Sequence, residues 1–411
     1  MTTTETWADL YRDLHAHPEL SFQETRTAGI VAERLAALGF EVTTGVGITG
    51  VVGVLANGDG PTVLLRADMD ALPVEERTGL DYASRQRAVS DEGVDVAVMH
   101  ACGHDVHVTC LLGACAALAE DRTTWSGTVL AVFQPAEEKG TGAQAMIEDG
   151  LFSRFPTPVV VLGQHVAPLP AGVIGLRSGP TFAAADTLRI TLHGQGAHGS
   201  RPEASVDPIV MAAATVMRLQ TIVSREVGGA ETAVVTVGTI HAGSAANIIP
   251  ADAELVLNVR TFTDDVRTRV IEAIGRIARA EAAASGAPRE PDIEPLNSFP
   301  AVVNDPDAVE RTRAALQEAA GFVVDPGSIT GSEDVGMLAS AAGAPCVYWL
   351  LGGADHAAFE GATTMEQLAE RVRTIPSNHS PLFAPVIEPT LTVGIAALVA
   401  AAREWLRADG P

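Results

Sequence analysis

At residues 99–107 the chain has the sequence Met99-His100-Ala101-Cys102-Gly103-His104-Asp105-Val106-His107. Gly103 has no side chain and separates Cys102 from His104, so a turn of the backbone can direct both side chains towards one point. Cysteine sulfur and imidazole nitrogen are the usual ligands of zinc and of similar divalent metals. The segment therefore predicts a metal site, and the alternative is a buried cysteine accompanied by structural histidines.

A pair of adjacent acids strengthens this prediction. Glu137 and Glu138 follow the apolar run 128–133, which we expect to be a buried strand. Carboxylates at the end of a buried strand are costly to remove from water unless a positive group balances them. A metal ion held by Cys102 and His104 would balance the two acids, whereas the alternative is an acidic turn exposed to solvent.

The composition limits the class of protein. With 411 residues, of which 47% are hydrophobic, the chain is expected to form two domains. A net charge of -24 argues against a nucleic acid or an anionic membrane as partner. Four cysteines give no disulfide framework, residues 1–6 lack the features of a signal peptide, and the apolar run 391–402 is shorter than a membrane span. We therefore expect a cytoplasmic protein, with residues 391–402 forming a packed helix.

Strands and helices alternate in the first part of the chain, and this pattern predicts a three-layer α/β domain. The predicted strands are 50–55 and 62–66, joined by a turn at 57–61, and 128–133, 159–162 and 345–350, with a helix at 107–120. Three predicted strand ends lie near a potential ligand or acid, namely Asp70, Glu138 and His165. Because chemistry collects at the carboxyl ends of strands in such domains, we expect these three residues to lie close together.

A second unit is predicted to begin near residue 183. Strands are expected at 188–192, 233–237 and 255–260, with helices at about 207–223 and 264–285, which suggests a small α+β sandwich. Residues 285–300 are rich in proline, glycine and acids, and they predict a linker back to the first domain. The expected division is therefore 1–182 and 295–411 for the α/β domain and 183–294 for the inserted domain.

The sequence resembles the M20 metallopeptidase/amidohydrolase family over nearly its whole length. More narrowly, it is similar to the branch that contains hippurate hydrolases, auxin-conjugate hydrolases and N-acyl-amino-acid aminoacylases. The motifs that support the resemblance are 66–73 (RADMDALP), 99–105 (MHACGHD), 134–138 (QPAEE), 196–198 (GAH), 247–250 (NIIP), 332–334 (SED) and 378–380 (NHS). The resemblance implies a three-layer α/β/α catalytic domain with an inserted α+β sandwich that acts as a lid and dimerisation domain.

The resemblance also implies roles for individual residues. It implies that a centre of two divalent metal ions is held by Cys102, His104, Glu138, His165 and His379. Zinc, manganese, cobalt and nickel are the metals that family members typically use. Glu137 is implied to be the general base and Asp70 the acid that stands behind the metal site. His198 and Asn247 are implied to contact the substrate from the lid domain, which also forms a homodimer.

Two positions depart from the family pattern. At the position of Asp68 the wider family's peptidases commonly have a metal-binding histidine, so Cys102 is expected to replace that ligand. After the motif at 196–198 many relatives of this branch have Pro-His, where this chain has Pro202-Glu203. Glu203 either disfavours anionic substrates near the mouth of the pocket or faces solvent.

The expected function is that of a metal-dependent amidohydrolase. The resemblance implies that metal-activated water cleaves an N-acyl amino acid to a carboxylic acid and a free amino acid. The first alternative is a dipeptidase or aminopeptidase, which needs a group that recognises a free α-amine, and no additional acid indicates one. The second alternative is a non-catalytic binding protein. Loss of Glu137 or of several ligands would indicate it, and all of them are present.

Overall fold

The computed structural model describes residues 6–406, and of Met365 only the backbone. Residues 1–5, on which the prediction about a signal peptide partly depends, lie outside this range. The helices are α1 Trp7–Ala16, α2 Thr25–Ala37, α3 His104–Glu120, α4 Gly142–Glu148, α5 Leu151–Arg154, α6 Pro208–Arg225, α7 Asp264–Ala284, α8 Pro306–Ala320, α9 Val335–Ala342, α10 Met365–Val372 and α11 Thr390–Trp405.

The strands, again in chain order, are β1 Glu41–Val46, β2 Gly50–Asn57, β3 Thr62–Asp68, β4 Arg87–Val89, β5 Asp95–Ala97, β6 Gly127–Gln134, β7 Val160–Pro170, β8 Ile174–Gly175, β9 Gly179–Phe182, β10 Ala184–His193, β11 Ala197–His198, β12 Ala233–Ala242, β13 Ile248–Ile249, β14 Asp252–Thr261, β15 Asp292–Phe299, β16 Val302–Asn304, β17 Val323–Val324 and β18 Cys346–Ala354. Contacts within the chain divide it into two compact units. The first unit comprises Met1–Gly179, Val303–Gly327 and Asp334–Pro411, and the second comprises Pro180–Val302 and Ser328–Glu333.

An eight-stranded sheet in the order β1-β2-β6-β3-β7-β18-β8-β17 forms the centre of the first unit. The strands β6, β3, β7 and β18 run parallel to one another, whereas β1 and β2 are antiparallel additions at one edge. Successive residues of β3 point to opposite faces, and both Leu64 and Leu65 are buried. Both faces of the central strands are therefore covered, as is typical of parallel sheets.

Helices form the covering layers of this sheet. The helices α3 and α11 pack on each other and on β3 and β7, while α4 and α9 pack together and on β6 and β7. The predicted helix at 391–402 is confirmed as α11, in which Ala397 and Leu398 are buried. None of the helices in the range 6–406 is both long and apolar enough to cross a membrane. The predicted α/β fold class is confirmed.

The predicted hairpin of β2 and β3 is wrong. In the structure β6 lies between the two strands, because Val52 pairs with Val132 in an antiparallel ladder and Leu64 pairs with Leu130 in a parallel one. The turn residues at 57–61 predict that the chain reverses after β2, but they do not predict which strand pairs with β2. Residues 58–61 are long enough to cross the roughly 10 Å between next-nearest strands, so a third strand fits between them.

The second unit is an antiparallel sheet, β12-β14-β10-β15, packed against α6 and α7. Leu255, Leu257 and Val259 alternate along β14 with less buried residues and contribute to the core under the two helices. The α+β sandwich expected in this region is therefore present. The predicted linker at 285–300 is wrong over residues 292–299, which form the edge strand β15. This strand is largely exposed and contains Pro295, which an edge strand tolerates, so no alternating pattern marked it in the sequence.

Candidate active site and metal centre

The first unit brings the predicted residues together at the carboxyl edge of its sheet. Asp68, the last residue of β3, pairs with Gln134, the last residue of β6. The parallel register of β3 with β7 places His165 level with Asp68. Residues 137–138 follow β6 directly. Because these strands are parallel, their carboxyl ends meet at one edge, and the acids and the imidazole converge there.

The start of α3 adds two further residues to this edge. Gly103 is the residue before the helix and has a φ of 85°, a left-handed conformation that glycine adopts readily. A Cβ atom at this position would lie 2.3 Å from Cγ1 of Val166, so there is also no room for a side chain. The turn places Cys102 just before the helix and His104 at its first position, earlier than the predicted start at residue 107.

The five predicted ligands form a connected set of donor atoms. Cys102 Sγ lies 3.5 Å from His165 Nε2, and His104 Nε2 lies 3.8 Å from Glu138 Oε1. Glu138 Oε2 lies 3.4 Å from His379 Nε2. Two donors on one tetrahedral zinc ion, at about 2.0–2.3 Å from the metal, are separated by roughly 3.3–3.7 Å. The spacing of the donors therefore suits shared cations.

Hydrogen bonds orient two of the imidazoles. Nδ1 of His104 lies 3.2 Å from a carboxylate oxygen of Asp70, and Nδ1 of His165 lies 2.8 Å from the carbonyl oxygen of Val166. Both partners are acceptors, so each Nδ1 has the proton and donates it. In the neutral ring, which metal binding requires, each Nε2 presents a lone pair towards the other donors. Metal-ligating histidines are commonly held in this way.

Two buried atoms in the set lack a hydrogen-bond partner among the described residues, Nε2 of His104 and Oε1 of Glu138. They face each other at 3.8 Å. Buried polar atoms are nearly always hydrogen-bonded, and an unpaired one costs free energy. A cation between this nitrogen and this oxygen would satisfy both, so the residues present fit a metal ion.

The charges of the site also call for a cation. Burial would lower the pKa of His104, but the carboxylates of Asp68, Asp70 and Glu138 outweigh it and raise this pKa to about 10. Burial and the neighbouring carboxylates raise the pKa of the Cys102 thiol well above its usual value. A ligand must be deprotonated to bind metal, so a bound cation would replace the protons that these two groups otherwise hold.

Asp70 fixes the backbone of the two adjacent acids. Its carboxylate accepts hydrogen bonds from the N–H groups of Glu137, at 3.1 Å, and Glu138, at 3.0 Å, and from the hydroxyl of Ser21, at 2.6 Å. Burial would raise the pKa of Asp70, but the bonds from His104 and Ser21 hold this pKa below its usual value. Glu137 is buried, and its carboxylate lies within 4.8 Å of donor atoms of His104 and Glu138. A proton acceptor is thus held beside the candidate ligands.

The remaining predicted residues, His198 and Asn247, lie side by side in the second unit. The short strands β11 and β13 pair, and the N–H of Gly199 donates to the carbonyl of Asn247 at 2.7 Å. The backbone N–H of Ser200 donates to Nδ1 of His198, so the neutral imidazole has its proton on Nε2. Both side chains are exposed. The pair therefore presents polar groups, including an imidazole N–H donor, at the surface of this unit.

Of the three imidazoles in the segment 99–107, His104 is the one whose Nε2 faces another candidate ligand. Nε2 of His107 accepts a hydrogen bond from the N–H of Val166, so its Nδ1 donates to Asp68 and both nitrogens are used. His100 is buried without a hydrogen-bond partner in the described part of the chain, and burial lowers its pKa to about 4. It belongs to none of the groups of possible metal ligands found among the described residues. Donor atoms of Asp68, His104 and His107 also lie within 4.8 Å of one another. Because both ring nitrogens of His107 are hydrogen-bonded, we interpret His107 as a residue that holds Asp68 in place.

Sequence analysis missed Glu24, which supports the loop of the two acids. Its buried carboxylate accepts hydrogen bonds from the N–H of Ala136, at 2.9 Å, and from the hydroxyl of Thr49, at 2.5 Å. Ala136 has a φ of 49°, which is uncommon for a residue with a side chain. Burial and the charge of Asp70 raise the pKa of Glu24 to about 7. No spacing in the sequence indicates a contact between residues 112 positions apart.

Glu203 faces solvent in the second unit. Its side chain is 68% exposed and lies 3.4 Å from the guanidinium of Arg201, which is itself exposed. Of the two interpretations offered by the sequence, the structure of this unit favours a solvent-facing residue.

Comparisons with known proteins agree with this geometry. A sequence profile of peptidase family M20/M25/M40 matches residues 64–376. The chain is 37% identical to thermostable carboxypeptidase 1 of Saccharolobus solfataricus over 354 residues, which cover 85% of this chain and 86% of that protein. It is 40% identical to hippurate hydrolase of Campylobacter jejuni over 310 residues, which cover 75% and 77% of the two chains.

A solved structure extends the likeness to three dimensions. The YXEP protein of Bacillus subtilis, described as a dinuclear metal binding peptidase from the M20 family, superposes with a TM-score of 0.76 and 30% sequence identity. The match covers 97% of each chain.

Proposed function

Because the chain belongs to peptidase family M20/M25/M40, we propose that it cleaves N-acyl amino acids to a carboxylic acid and a free amino acid. The family match confirms the resemblance inferred from the sequence and the expected class of metal-dependent amidohydrolase. The observation that most directly supports catalysis is the pair His104 Nε2 and Glu138 Oε1, which find no hydrogen-bond partner among residues 6–406 and lie beside the buried carboxylate of Glu137.

The proposed centre holds two divalent ions, with zinc, manganese, cobalt and nickel as the candidates. The ligands would be Cys102, His104, Glu138, His165 and His379. Their donors fall into two groups, Cys102 with His104 and His165, and Cys102 with Glu138 and His379, which have Cys102 in common. Such ions supply Lewis acidity and make water a usable nucleophile at neutral pH.

The chain's own residues would move the proton and bind the substrate. Glu137 accepts the proton of the attacking water and gives it to the leaving amine, as a general base and then a general acid. The carboxylate of Asp70 holds Glu137 in place by accepting a hydrogen bond from the backbone N–H of Glu137. His198 is proposed to donate its Nε2–H to the oxygen that becomes negative in the tetrahedral intermediate, and Asn247 to bind the substrate beside it.

The substrate class follows from the bond that the named relatives cleave. Hippurate is N-benzoylglycine, and a carboxypeptidase removes the residue that has the free carboxylate. In both cases the released amine is that of an amino acid with a free carboxylate, which is the bond we propose. The dipeptidase or aminopeptidase alternative would additionally require recognition of a free α-amine.

Matched substrate pairs test the proposal. N-Acetyl-L-alanine and glycyl-L-alanine differ chiefly by one amino group, and N-benzoyl and N-lauroyl alanine extend the acyl side. We expect a higher kcat/KM on the acyl amino acids for the enzyme loaded with zinc, manganese, cobalt or nickel. A higher kcat/KM on glycyl-L-alanine would favour the peptidase alternative, and no turnover of any compound by metal-loaded protein would favour the binding protein.

We also propose a homodimer formed through the second unit. The outer edge of β12 has no partner strand among the described residues, and Ile240 on it is 51% exposed. On α6, Val210 and Met217 are 63% and 72% exposed. An exposed edge strand beside apolar side chains is a surface that a two-fold partner would cover. Light scattering after gel filtration should give twice the mass of the chain, whereas a monomer would refute this interface.

We also propose that the protein is located in the cytoplasm. All four cysteines are free thiols, which suits a reducing compartment. Localisation of a tagged protein by cell fractionation tests it, and recovery outside the cytoplasm would contradict it.

A further inference from the structure

We propose that Asn378 is a positioning residue that sets the metal affinity of the centre. It does so by tying together three separate segments of the chain, those of Cys102, His165 and His379. The inference depends on the proposed metal centre but not on the identity of the substrate.

The amide of Asn378 joins two distant segments directly. Its Nδ2 donates to the carbonyl oxygen of Cys102 at 3.0 Å and to that of Val166 at 3.1 Å. Both partners only accept hydrogen bonds, so the amide nitrogen must point towards them. These contacts span 276 and 212 residues of the chain. One side chain thus holds the turn before α3 against β7.

The carbonyl of Val166 has a second role. It also accepts the hydrogen bond of His165 Nδ1, at 2.8 Å, that orients this ring. Asn378 Nδ2 also lies 3.8 Å from Cys102 Sγ, so the amide packs directly against that ligand atom. Asn378 therefore bonds to the carbonyl that orients His165 and to the backbone of Cys102, and so it positions both ligands.

The third segment is the loop of His379, which follows Asn378 directly. The side chain of His379 is 57% exposed, and its φ is 71°, an uncommon value for a residue with a side chain. Its backbone N–H donates to the carbonyl of Ala101 at 2.8 Å. Little packing holds such a residue, so its position depends on these backbone contacts and on the anchored Asn378.

The expected effect is therefore on metal binding more than on folding. Each hydrogen bond contributes only about 1 kcal/mol to stability. Removal of a group that orients metal ligands typically weakens metal binding by about 10–100-fold.

Asn57 offers a matched control. It is also partly buried, and its Nδ2 also donates to two backbone carbonyls, of Arg122 at 2.7 Å and Trp125 at 2.6 Å. It pairs with Gly127, the first residue of β6, whereas the site follows the last residue of that strand. The two asparagines therefore make the same kind of contact at opposite ends of the parallel strands.

The test compares Asn378→Ala, Asn378→Asp and Asn57→Ala with the wild type. Metal-free proteins are titrated with zinc in competition with a coloured chelator, and Co²⁺ is added to follow the thiolate-to-cobalt absorption of Cys102. We expect both Asn378 variants to raise the zinc Kd by about 10–100-fold and to weaken or shift the cobalt band. Asn57→Ala should lower the Tm without changing either readout.

Several outcomes would overturn the inference. A zinc Kd within threefold of the wild type in the Asn378 variants would leave Asn378 with a structural role only. Failure of both Asn378 variants to fold would assign the residue to the fold. If the wild type itself bound no zinc and gave no cobalt–thiolate band, the metal centre would be refuted, and the inference with it.

Discussion

A histidine of this site can bind a metal only if one of its two ring nitrogens is not already used in a hydrogen bond. In His104 and His165 one nitrogen donates to an oxygen and leaves the other with a lone pair, while in His107 both nitrogens are used. The sequence predicts that these rings cluster with Cys102 and the acids. It does not predict their orientation, because Asp70, the partner of His104, lies 34 residues away in the chain, and the bond from His165 to the carbonyl of Val166 depends on the rotamer of the ring.

Replacement of the thiol should affect metal binding more than the fold. In Cys102→Ser a hydroxyl replaces the thiolate, and a hydroxyl is a far poorer ligand for these metals. We expect less bound metal after dialysis by elemental analysis, with a small change in Tm. Cys110→Ser, a buried cysteine of α3 near the carbonyl of Leu391, is the control and should retain full metal content. Unchanged metal content in Cys102→Ser would return Cys102 to a structural role.

At the scale of elements, hydrophobic patterns located the helices and the buried strands well, but not which strands are neighbours. The run at 62–66 predicted β3, yet its neighbour β6 comes from far along the chain. The edge strand β15 was missed because its residues are mostly exposed. The hydrophobic pattern of a sequence indicates which residues are buried. An exposed strand therefore has a weak pattern, and the order of the strands in the sheet has no pattern at all.

The turn into α3 should not tolerate a side chain. Gly58→Ala, at a φ of 78° with nothing within 4 Å of the added Cβ, isolates the backbone strain and should cost about 1 kcal/mol. Gly103→Ala has similar strain and also the overlap with Val166, so it should cost about 2–4 kcal/mol and weaken metal binding. Urea unfolding measures the free energy of unfolding of both variants and of the wild type. Equal losses of stability in the two variants would refute the close contact.

The link between α1 and α3 should give a pH-dependent stability. His15 lies 2.6 Å from Asp105 and 3.1 Å from Glu76. Burial opposes its charge, but these acids outweigh burial and raise the pKa of His15 from 6.5 to about 10. A raised pKa stabilises the fold fully below pH 6.5, and this contribution is lost as the pH rises to 10. The Tm difference between the wild type and His15→Gln should therefore shrink from pH 6 to pH 10. A constant difference would contradict the assignment.

At the scale of the whole molecule, the sequence predicted an α/β domain with an inserted α+β unit, and the structure has both. The resemblance supplied what the residue patterns did not, the assembly of the site from segments as distant as Cys102 and His379. The second unit contains His198 and the exposed edge β12. We propose that this unit forms the dimer and that His198 acts on the site of the partner subunit.

Subunit exchange tests this arrangement. Glu137→Gln and His198→Ala proteins are mixed under conditions that allow exchange. In a hybrid dimer the subunit with an intact Glu137 receives an intact His198 from its partner. Random exchange makes about half of the dimers hybrid, each with one complete site in two, so roughly a quarter of wild-type activity should appear. No gain over the separate variants, with exchange verified by mass spectrometry of labelled subunits, would place His198 in its own subunit's site.

We propose that Glu137 acts as the general base in the hydrolysis of an acyl amino acid, beside metal ions that this chain would hold. The most direct measurement is turnover of N-acetyl-L-alanine by wild type and Glu137→Gln after chelation and after metal return, with metal content determined in every sample. We expect no turnover without metal, recovery of the wild type with metal, and equal metal in Glu137→Gln with kcat lower by at least about 10²–10⁴-fold. Turnover by metal-free protein, or near-normal kcat in metal-loaded Glu137→Gln, would contradict it.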